Sequence, residues 1–548
     1  MKPSEPSTSV AAPTVPAPDV EPPNSPLASS AAVIGLATMT SRVLGLGRML
    51  VLASLFGASS AMDAYVVAFR IPNLMRDLFA EGAMSAAFVP TFTQQLTTQG
   101  RDAAWRLGTQ LINALVVMTG VLVLAAIIFA EPLIRLAARD FADEPGKLEL
   151  TVTLTRLMLP FLTLVAVAAA CMGMLNSLRR FFIPALSPAM FNVSVILSGL
   201  LLVPLMPGAG FEPIMAIAFG VVLGGIGQIA LQYWVLRKEG FRYRFTLDPA
   251  DRGLRKVLGL MGPGTLAGAA LQINVMVTTI IATSQGTGAV SWLTYAFQVM
   301  YLPIGVLGVS IATAALPVLS RQAALGELHE MRRTISHGLR LMLMLMVPAT
   351  VGLIVLAVPI VRLLFERGAF TPADTQSTAL ALACYAPGMI GYSVVRLGVP
   401  SFYALGTSLT PAIVSALAVG LNIVLNLVLV RVMGYQGLAL GNAIAALSNG
   451  ALLLVLLRRR LDGLEGGRIA DSFARIAVAA VVMGAAVWQA NLWFTAIWTG
   501  TGRWTQLLIV ASDIGVGLAV LDITARLLGL AEFRQAWNQL LARLTRSR

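Results

Sequence analysis

The chain has 548 residues, of which 57% are hydrophobic and 12% charged, and its mean hydropathy is +0.80; a soluble domain carries about 25% charged residues, so this is the composition of a polytopic membrane protein, and the long apolar runs make the expected fold class all-α. The net charge of +13 invites a nucleic-acid partner, but the basic residues sit in short loops between apolar runs, which is the positive-inside pattern, and nucleic-acid binding is set aside. Cys171 and Cys384 lie in apolar runs and imply no disulfide framework, and no phosphate-binding loop, zinc-spacing motif or serine elbow argues for an enzyme.

Residues 1–26, rich in Pro, Ser, Ala and Glu without periodicity, read as a disordered tail. From residue 28 the sequence predicts fourteen membrane spans, each of about 20 residues or more. They run 28–56, 63–97, 106–137, 150–177, 184–206, 213–237, 256–284, 289–322, 333–363, 373–405, 409–432, 436–458, 472–496 and 504–530. A last stretch, Glu532 to Leu544, places Phe533, Trp537, Leu540, Leu541 and Leu544 at helical spacing and is expected to lie on the membrane surface. Loops such as the one with Arg179 and Arg180 and the one with Arg458, Arg459 and Arg460 are rich in basic residues, whereas loops of the other set are not. Both termini are therefore expected in the cytoplasm.

A weak internal repeat accompanies the spans. Ala68-Phe69-Arg70 recurs as Ala296-Phe297-Gln298, Ala86-Ala87-Phe88-Val89-Pro90 as Ala314-Ala315-Leu316-Pro317, and Leu186-Ser187-Pro188-Ala189 as Leu409-Thr410-Pro411-Ala412. Six spans separate the copies, so the halves share one orientation, and a substrate site is expected at their interface. Spans 13 and 14 fall outside the repeat.

The first two spans carry Arg42, Arg48, Asp63, Arg70, Arg76, Asp77 and Glu81. An arginine at mid-membrane costs about 2.5–3.5 kcal/mol even on the lenient insertion scale, so these side chains should face a water-filled cavity or one another. Arg70, Asn73, Asp77 and Glu81 form one stripe. Arg42 and Arg48, six apart, lie about 120° apart on a regular helix and share a cavity only if it is wide or the helix bends near Gly45 and Gly47. A cavity so lined suits an anionic cargo. The second half is poorer in charge, offering Gln272, Asn274, Gln298, Arg396, Asn422, Asn426 and Asn442. Asn422 and Asn426, four apart, present uncharged oxygens that could hold a hard cation or could bridge helices.

The runs SRVLGLGR from Ser41, MDAYVVAFRIPNLMRDLFAEGAMSAAFVP, LNSLRRFFIPALSP, SWLTYAF with LPIGVLGVSIATAALP, and LLFERGAFTPADT resemble the MurJ (MviN) lipid II flippase family of the multidrug/oligosaccharidyl-lipid/polysaccharide (MOP) exporter superfamily. The resemblance implies a MOP-exporter fold of fourteen transmembrane helices in two six-helix lobes plus two C-terminal helices. The divisions are then a tail (1–26), an N-lobe (27–240), a C-lobe (241–462), a lipid-tail groove of helices 13–14 (463–531) and a basic amphipathic tail (532–548). It implies flipping of lipid II, the undecaprenyl-diphosphate-linked peptidoglycan precursor, across the bacterial cytoplasmic membrane by alternating access. In the family, arginines matching Arg42, Arg48 and Arg76 serve the cargo's diphosphate, and matches to Asp63, Asn73 and Glu81 belong to the functional motif; Ser41, Arg70 and Gln298 complete the expected binding set. The chain departs from the family at Gln298, where an arginine is usual, and at Asp77, Thr407 and Leu409. The residues around the family's sodium site, Asn274, Asn422, Asn426 and Asn442, include no carboxylate.

No ATP site is visible, so the drive is expected to be sodium or the membrane potential, which supplies about 2.3 kcal/mol per charge per 100 mV. The other readings are a flippase for a different polyprenyl-diphosphate-linked glycan and a non-transporting membrane scaffold for cell-wall synthesis enzymes. Arg42, Arg48 and Arg76 favour transport, and Gln298 favours the scaffold.

Overall fold

The computed structural model describes residues 26–76, 84–246, 248–500 and 502–530. The expected surface stretch at Glu532 to Leu544, nearly all of the N-terminal tail, Asp77 and Glu81 lie outside them. The described residues are helical, without strands. In the N-terminal half these are α1 (Pro26–Phe56), α2 (Ser60–Arg76), α3 (Met84–Thr98), α4 (Arg101–Ile128), α5 (Ala130–Ala137), α6 (Lys147–Met158), α7 (Phe161–Ser177), α8 (Phe182–Leu201) and α9 (Met215–Lys238). The C-terminal half has α10 (Arg252–Thr283), α11 (Ala289–Pro303), α12 (Val309–Ala324), α13 (Leu328–Val355), α14 (Ala357–Phe365), α15 (Pro372–Tyr385), α16 (Gly388–Ala404), α17 (Leu409–Met433) and α18 (Tyr435–Arg460). α19 (Gly466–Ile497) and α20 (Arg503–Leu527) follow.

Ten helical segments among the described residues are long and apolar enough to cross a membrane, or eleven if α15 and α16, bent by 44°, are one span. Several expected spans consist of two successive helices, of which α6 and α7 together still count as one of the ten. Pro160 stands between α6 and α7, and Pro387 between α15 and α16. Proline lacks the N–H that would continue the ladder and clashes with the carbonyl four residues back. The expected span 289–322 is interrupted by a π-turn at Ile304–Gly308, directly after Pro303.

The cores show how the halves meet. One apolar cluster draws on both, with Tyr65, Phe141, Phe161 and Phe191 from the first and Tyr295, Phe365, Phe370 and Tyr385 from the second. Toward the other end this common core gives way to separate ones: Phe88, Phe92, Leu107, Met174 and Phe241 in the N-terminal half, and Leu319, Met331, Leu339, Phe402 and Leu453 in the C-terminal half. The halves are therefore fused at one end, the seam, and independently packed at the other. α10 bridges that second end, its Leu254 and Val257 joining the N-terminal cluster while Lys256 donates to Gln94 at 3.1 Å. α19 packs along α13, and α20 packs on α19. The outward faces carry exposed apolar side chains such as Val121, Leu124, Ile128, Val432, Val481 and Leu527, as a lipid-facing surface requires.

Candidate functional site

α1 turns Ser41, Arg42, Gly45 and Arg48 toward a cavity of about 360 Å³. α8 and α9 contribute Ser187, Asn192, Gln228 and Gln232, α11 contributes Gln298 and Tyr301, and Arg76 reaches it from the end of α2. A second cavity of about 250 Å³ shares Arg48, Arg76, Phe191 and Gln298 with the first and adds Tyr65, Phe69, Arg70 and Asn73 along one face of α2. Four arginines thus line two adjoining cavities between the halves, and among the described residues no carboxylate lines either one. Such a space favours an anion strongly. Guanidinium groups bind phosphate oxygens through paired, charge-assisted hydrogen bonds, and the neutral amides and hydroxyls beside them suit an uncharged polar head group.

Arg42 and Arg48 share this cavity because it is wide, with each covering one flank. The Arg48 guanidinium lies 5.1 Å from the centre of the Phe191 ring on α8. Arg42 leans the other way, onto the π-turn of the C-terminal half. A Cβ at Gly305 would lie 1.7 Å from the Arg42 Nη1 atom, so only glycine leaves the guanidinium its seat.

Asp63, which shares a helix face with Arg70, lies about 10 Å further along α2 and lines neither cavity. It is fully buried at the seam. Its carboxylate accepts hydrogen bonds from the Gly288 N–H at 2.7 Å, the Ser291 N–H at 3.0 Å and the Ser291 hydroxyl at 2.6 Å. It therefore caps α11, an element of the other half, where a helix's unpaired amides and positive dipole end favour an anion. Lys147 stands 3.4 Å from Asp63 and 3.0 Å from Glu144. Glu144 accepts in turn from Ser60 and, across the seam, from Thr287 at 2.9 Å. Burial pushes the Glu144 carboxyl up, but the hydrogen bonds from Ser60, Lys147 and Thr287 outweigh this and hold it below the ordinary range.

Backbone contacts complete the seam. The Ala369 N–H donates to the Ser54 carbonyl at 2.9 Å, and the Tyr295 hydroxyl to the Gly57 carbonyl at 2.9 Å. Gly57 and Gly368 both adopt left-handed conformations, with φ of 58° and 57°. A Cβ on Gly57 would sit 2.3 Å from the Ala369 oxygen, and one on Gly368 would sit 2.1 Å from the Ser54 oxygen. At both positions glycine is required for conformation and for closeness.

The family model for the lipid II flippase MurJ matches residues 52–505. The chain belongs to the lipid II flippase MurJ family. A relative from Rhizobium meliloti (strain 1021), described as a probable lipid II flippase MurJ, is 34% identical over 470 residues, which is 84% of this chain and 86% of the relative. The lipid II flippase MurJ of Burkholderia cenocepacia is 34% identical over 430 residues, covering 77% and 82%. Among solved structures, a lipid II flippase MurJ in an inward closed conformation superposes with a TM-score of 0.74 at 25% identity, covering 90% of this chain and 99% of that one. An inward-facing multidrug transporter of the MATE family, in the MOP superfamily, matches at a TM-score of 0.64 and 15% identity, a likeness of fold alone.

In this MurJ-family chain the structure brings Ser41, Arg42, Arg48, Arg70, Asn73, Arg76 and Gln298 together, sets Asp63 apart at the seam, and leaves Glu81 outside the described residues. It also adds Tyr301 and Arg396. Tyr301 lines the cavity, and its hydroxyl accepts a hydrogen bond from Arg396 of α16, so the C-terminal half, which has glutamine at 298, still holds a guanidinium one side chain behind the wall. Arg396 stands out in the sequence as a charge within a span, but nothing there ties it to Tyr301.

Of the four asparagines, Asn422 and Asn426 converge. The Asn426 amide donates to the Asn422 oxygen at 3.1 Å and to Thr278 of α10 at 3.0 Å. The Asn442 oxygen accepts from the Tyr392 hydroxyl at 2.7 Å. The side-chain oxygens of Asn274 and Asn426 are buried without a donor, which is a fragment of the oxygen set a hard cation takes. Among the described residues there is no group of three or more His, Cys, Asp or Glu that could hold a metal ion.

Proposed function

We propose that this chain is a lipid II flippase of the bacterial cytoplasmic membrane, moving the lipid-linked peptidoglycan precursor from the inner to the outer leaflet by alternating access. The observation that carries this reading is the space between the two halves, lined by four arginines and, among the described residues, by no carboxylate. Fourteen spans result if α2–α3, α10 and α11–α12 are spans in addition to the eleven, giving two six-span lobes with α19 and α20 appended. With both termini cytoplasmic, the seam lies at the outer face. The cargo's diphosphate would then meet Arg42, Arg48 and Arg76 from the inner side. Breaking the seam and closing the opposite end would present the head group outward. The decisive experiment is replacement of a depleted lipid II flippase in living cells: growth and continued delivery of lipid II to the outer leaflet are expected. Lysis despite a folded, membrane-inserted protein would overturn the reading.

Any drive other than the membrane potential would fall to the Asn422–Asn426–Thr278 cluster. Lacking a carboxylate, it is expected to hold sodium weakly, and Asn426→Asp to strengthen binding by placing a negative oxygen in the set. Isothermal titration of purified protein with sodium checks this, and tight binding by the unmodified chain would contradict it.

A further inference from the structure

On the flank of the C-terminal half a second kind of cavity lies between α13, α16, α18 and α19. It encloses about 480 Å³, and its walls are aliphatic, among them Leu343, Val394, Leu454, Val455 and Ile469. Among the described residues no helix lines both this groove and the arginine cavity, and none of α20 lines the groove. Along α18 the lining runs from Leu447 to Arg458, a length of about 16 Å at 1.5 Å per residue. That is close to half of the roughly 30 Å hydrocarbon thickness of a bilayer, so the groove spans one leaflet's depth of chain.

Its single charge stands at one end. Arg458 is exposed in the last turn of α18. Its guanidinium reaches the first turn of α19, lying 4.0 Å from where a Cβ on Gly466 would be. Among the described residues no carboxylate pairs with it; the neighbouring Glu465 is engaged by Arg468 at 2.9 Å. An apolar slot of one-leaflet depth with an unneutralised guanidinium at its interfacial end is complementary to a lipid with an anionic head.

We propose that this groove binds one acyl chain of an anionic glycerophospholipid, its phosphate held by Arg458, in the leaflet at that end of α18 (the inner leaflet in the orientation proposed above). A cargo chain anchored by a diphosphate at Arg42, Arg48 and Arg76 would have to leave from helices that form no wall of this groove. A glycerophospholipid enters directly from the bilayer. Bound there, it would add to the packing of α19 against α16 and α18 and would stabilise the native chain by mass action.

The test is native mass spectrometry of the full-length protein in detergent micelles titrated with dioleoyl phosphatidylglycerol, with dioleoyl phosphatidylethanolamine and undecaprenyl diphosphate in parallel. Retention of phosphatidylglycerol over phosphatidylethanolamine is expected. Arg458→Ala should weaken it about tenfold, in line with loss of a charge-assisted hydrogen bond. Arg458→Lys should weaken it less, and Ala451→Trp, which fills the slot from an exposed wall position, should reduce it comparably. Arg459→Ala is expected to leave it unchanged. Melting curves without added lipid check that each variant is folded. Equal retention of both phospholipids, or no effect of either Arg458→Ala or Ala451→Trp, would show only non-specific annular lipid and overturn the proposal. Displacement of phosphatidylglycerol one for one by undecaprenyl diphosphate would assign the groove to the cargo's tail instead.

Discussion

Lipid II binding to purified protein is expected to fall below detection when Arg42, Arg48 and Arg76 are all replaced by alanine. Hydrogen bonds to charged groups contribute about 1.5–3 kcal/mol each, so Arg76→Ala alone should weaken binding roughly ten- to a hundred-fold. The three guanidiniums line one space, so their effects should not simply add. Arg76→Lys should recover only part of the loss, because an ammonium cannot make the paired contacts of the guanidinium fork. Gln298→Arg should act in the opposite sense, bringing to the cavity wall a charge that the C-terminal half now holds only behind Tyr301, on Arg396. Arg244→Ala, in an exposed loop, should do little. Unchanged binding in the triple variant would remove the basis for an anionic cargo.

The second large effect is expected at Asp63. Asp63→Ala removes three hydrogen bonds to the start of α11 and leaves the buried Lys147 with Glu144 as its remaining carboxylate. Breaking one side of a buried ion pair costs about 3–5 kcal/mol. Because the bonds to Gly288 and Ser291 join the two halves, much of that cost should appear as opening of the seam rather than as unfolding. Spin labels at Ser59 and Ala373, both exposed on opposite halves, should report a short distance in the parent protein and a longer, broader one in Asp63→Ala. Adding Lys147→Met should restore part of the closure by removing a buried charge that has lost one of its two carboxylate partners. An unaltered distance distribution in a folded Asp63→Ala protein would mean that the seam is held by packing alone.

The sequence disclosed most of the helices, because a lipid-facing span needs an apolar run whatever it packs against. It disclosed the breaks less well. Pro160 and Pro387 are visible, but whether a proline bends a span or interrupts it depends on its neighbours, and the π-turn at Ile304–Gly308, against which Arg42 packs, has no mark in the sequence beyond Pro303. The arginines were legible from their cost in a membrane alone. Asp63 was legible as charged and out of place, but its partners are main-chain amides and a serine from the other half, which carry no mark in the sequence. Helical spacing grouped it with Arg70, and the true division lies along the helix axis rather than around it. Asn442 was grouped with Asn274, Asn422 and Asn426 by the family resemblance, and its bond to Tyr392 carries no mark in the sequence.

The meeting of Gly57 with Ala369 and of Gly368 with Ser54 bears on how fast the protein could turn over. This part of the seam is main chain against main chain. When it parts, the freed amide and carbonyl enter water, which replaces the lost partner. The net penalty is therefore about 1 kcal/mol for such a bond, far less than stripping interlocked side chains from one another. A junction of this kind excludes solvent while shut and yet adds little to the barrier of each cycle. The reluctance to open would then reside in the shared apolar core and in the Asp63 network, and of these the Asp63 network is the one that a passing charge could release.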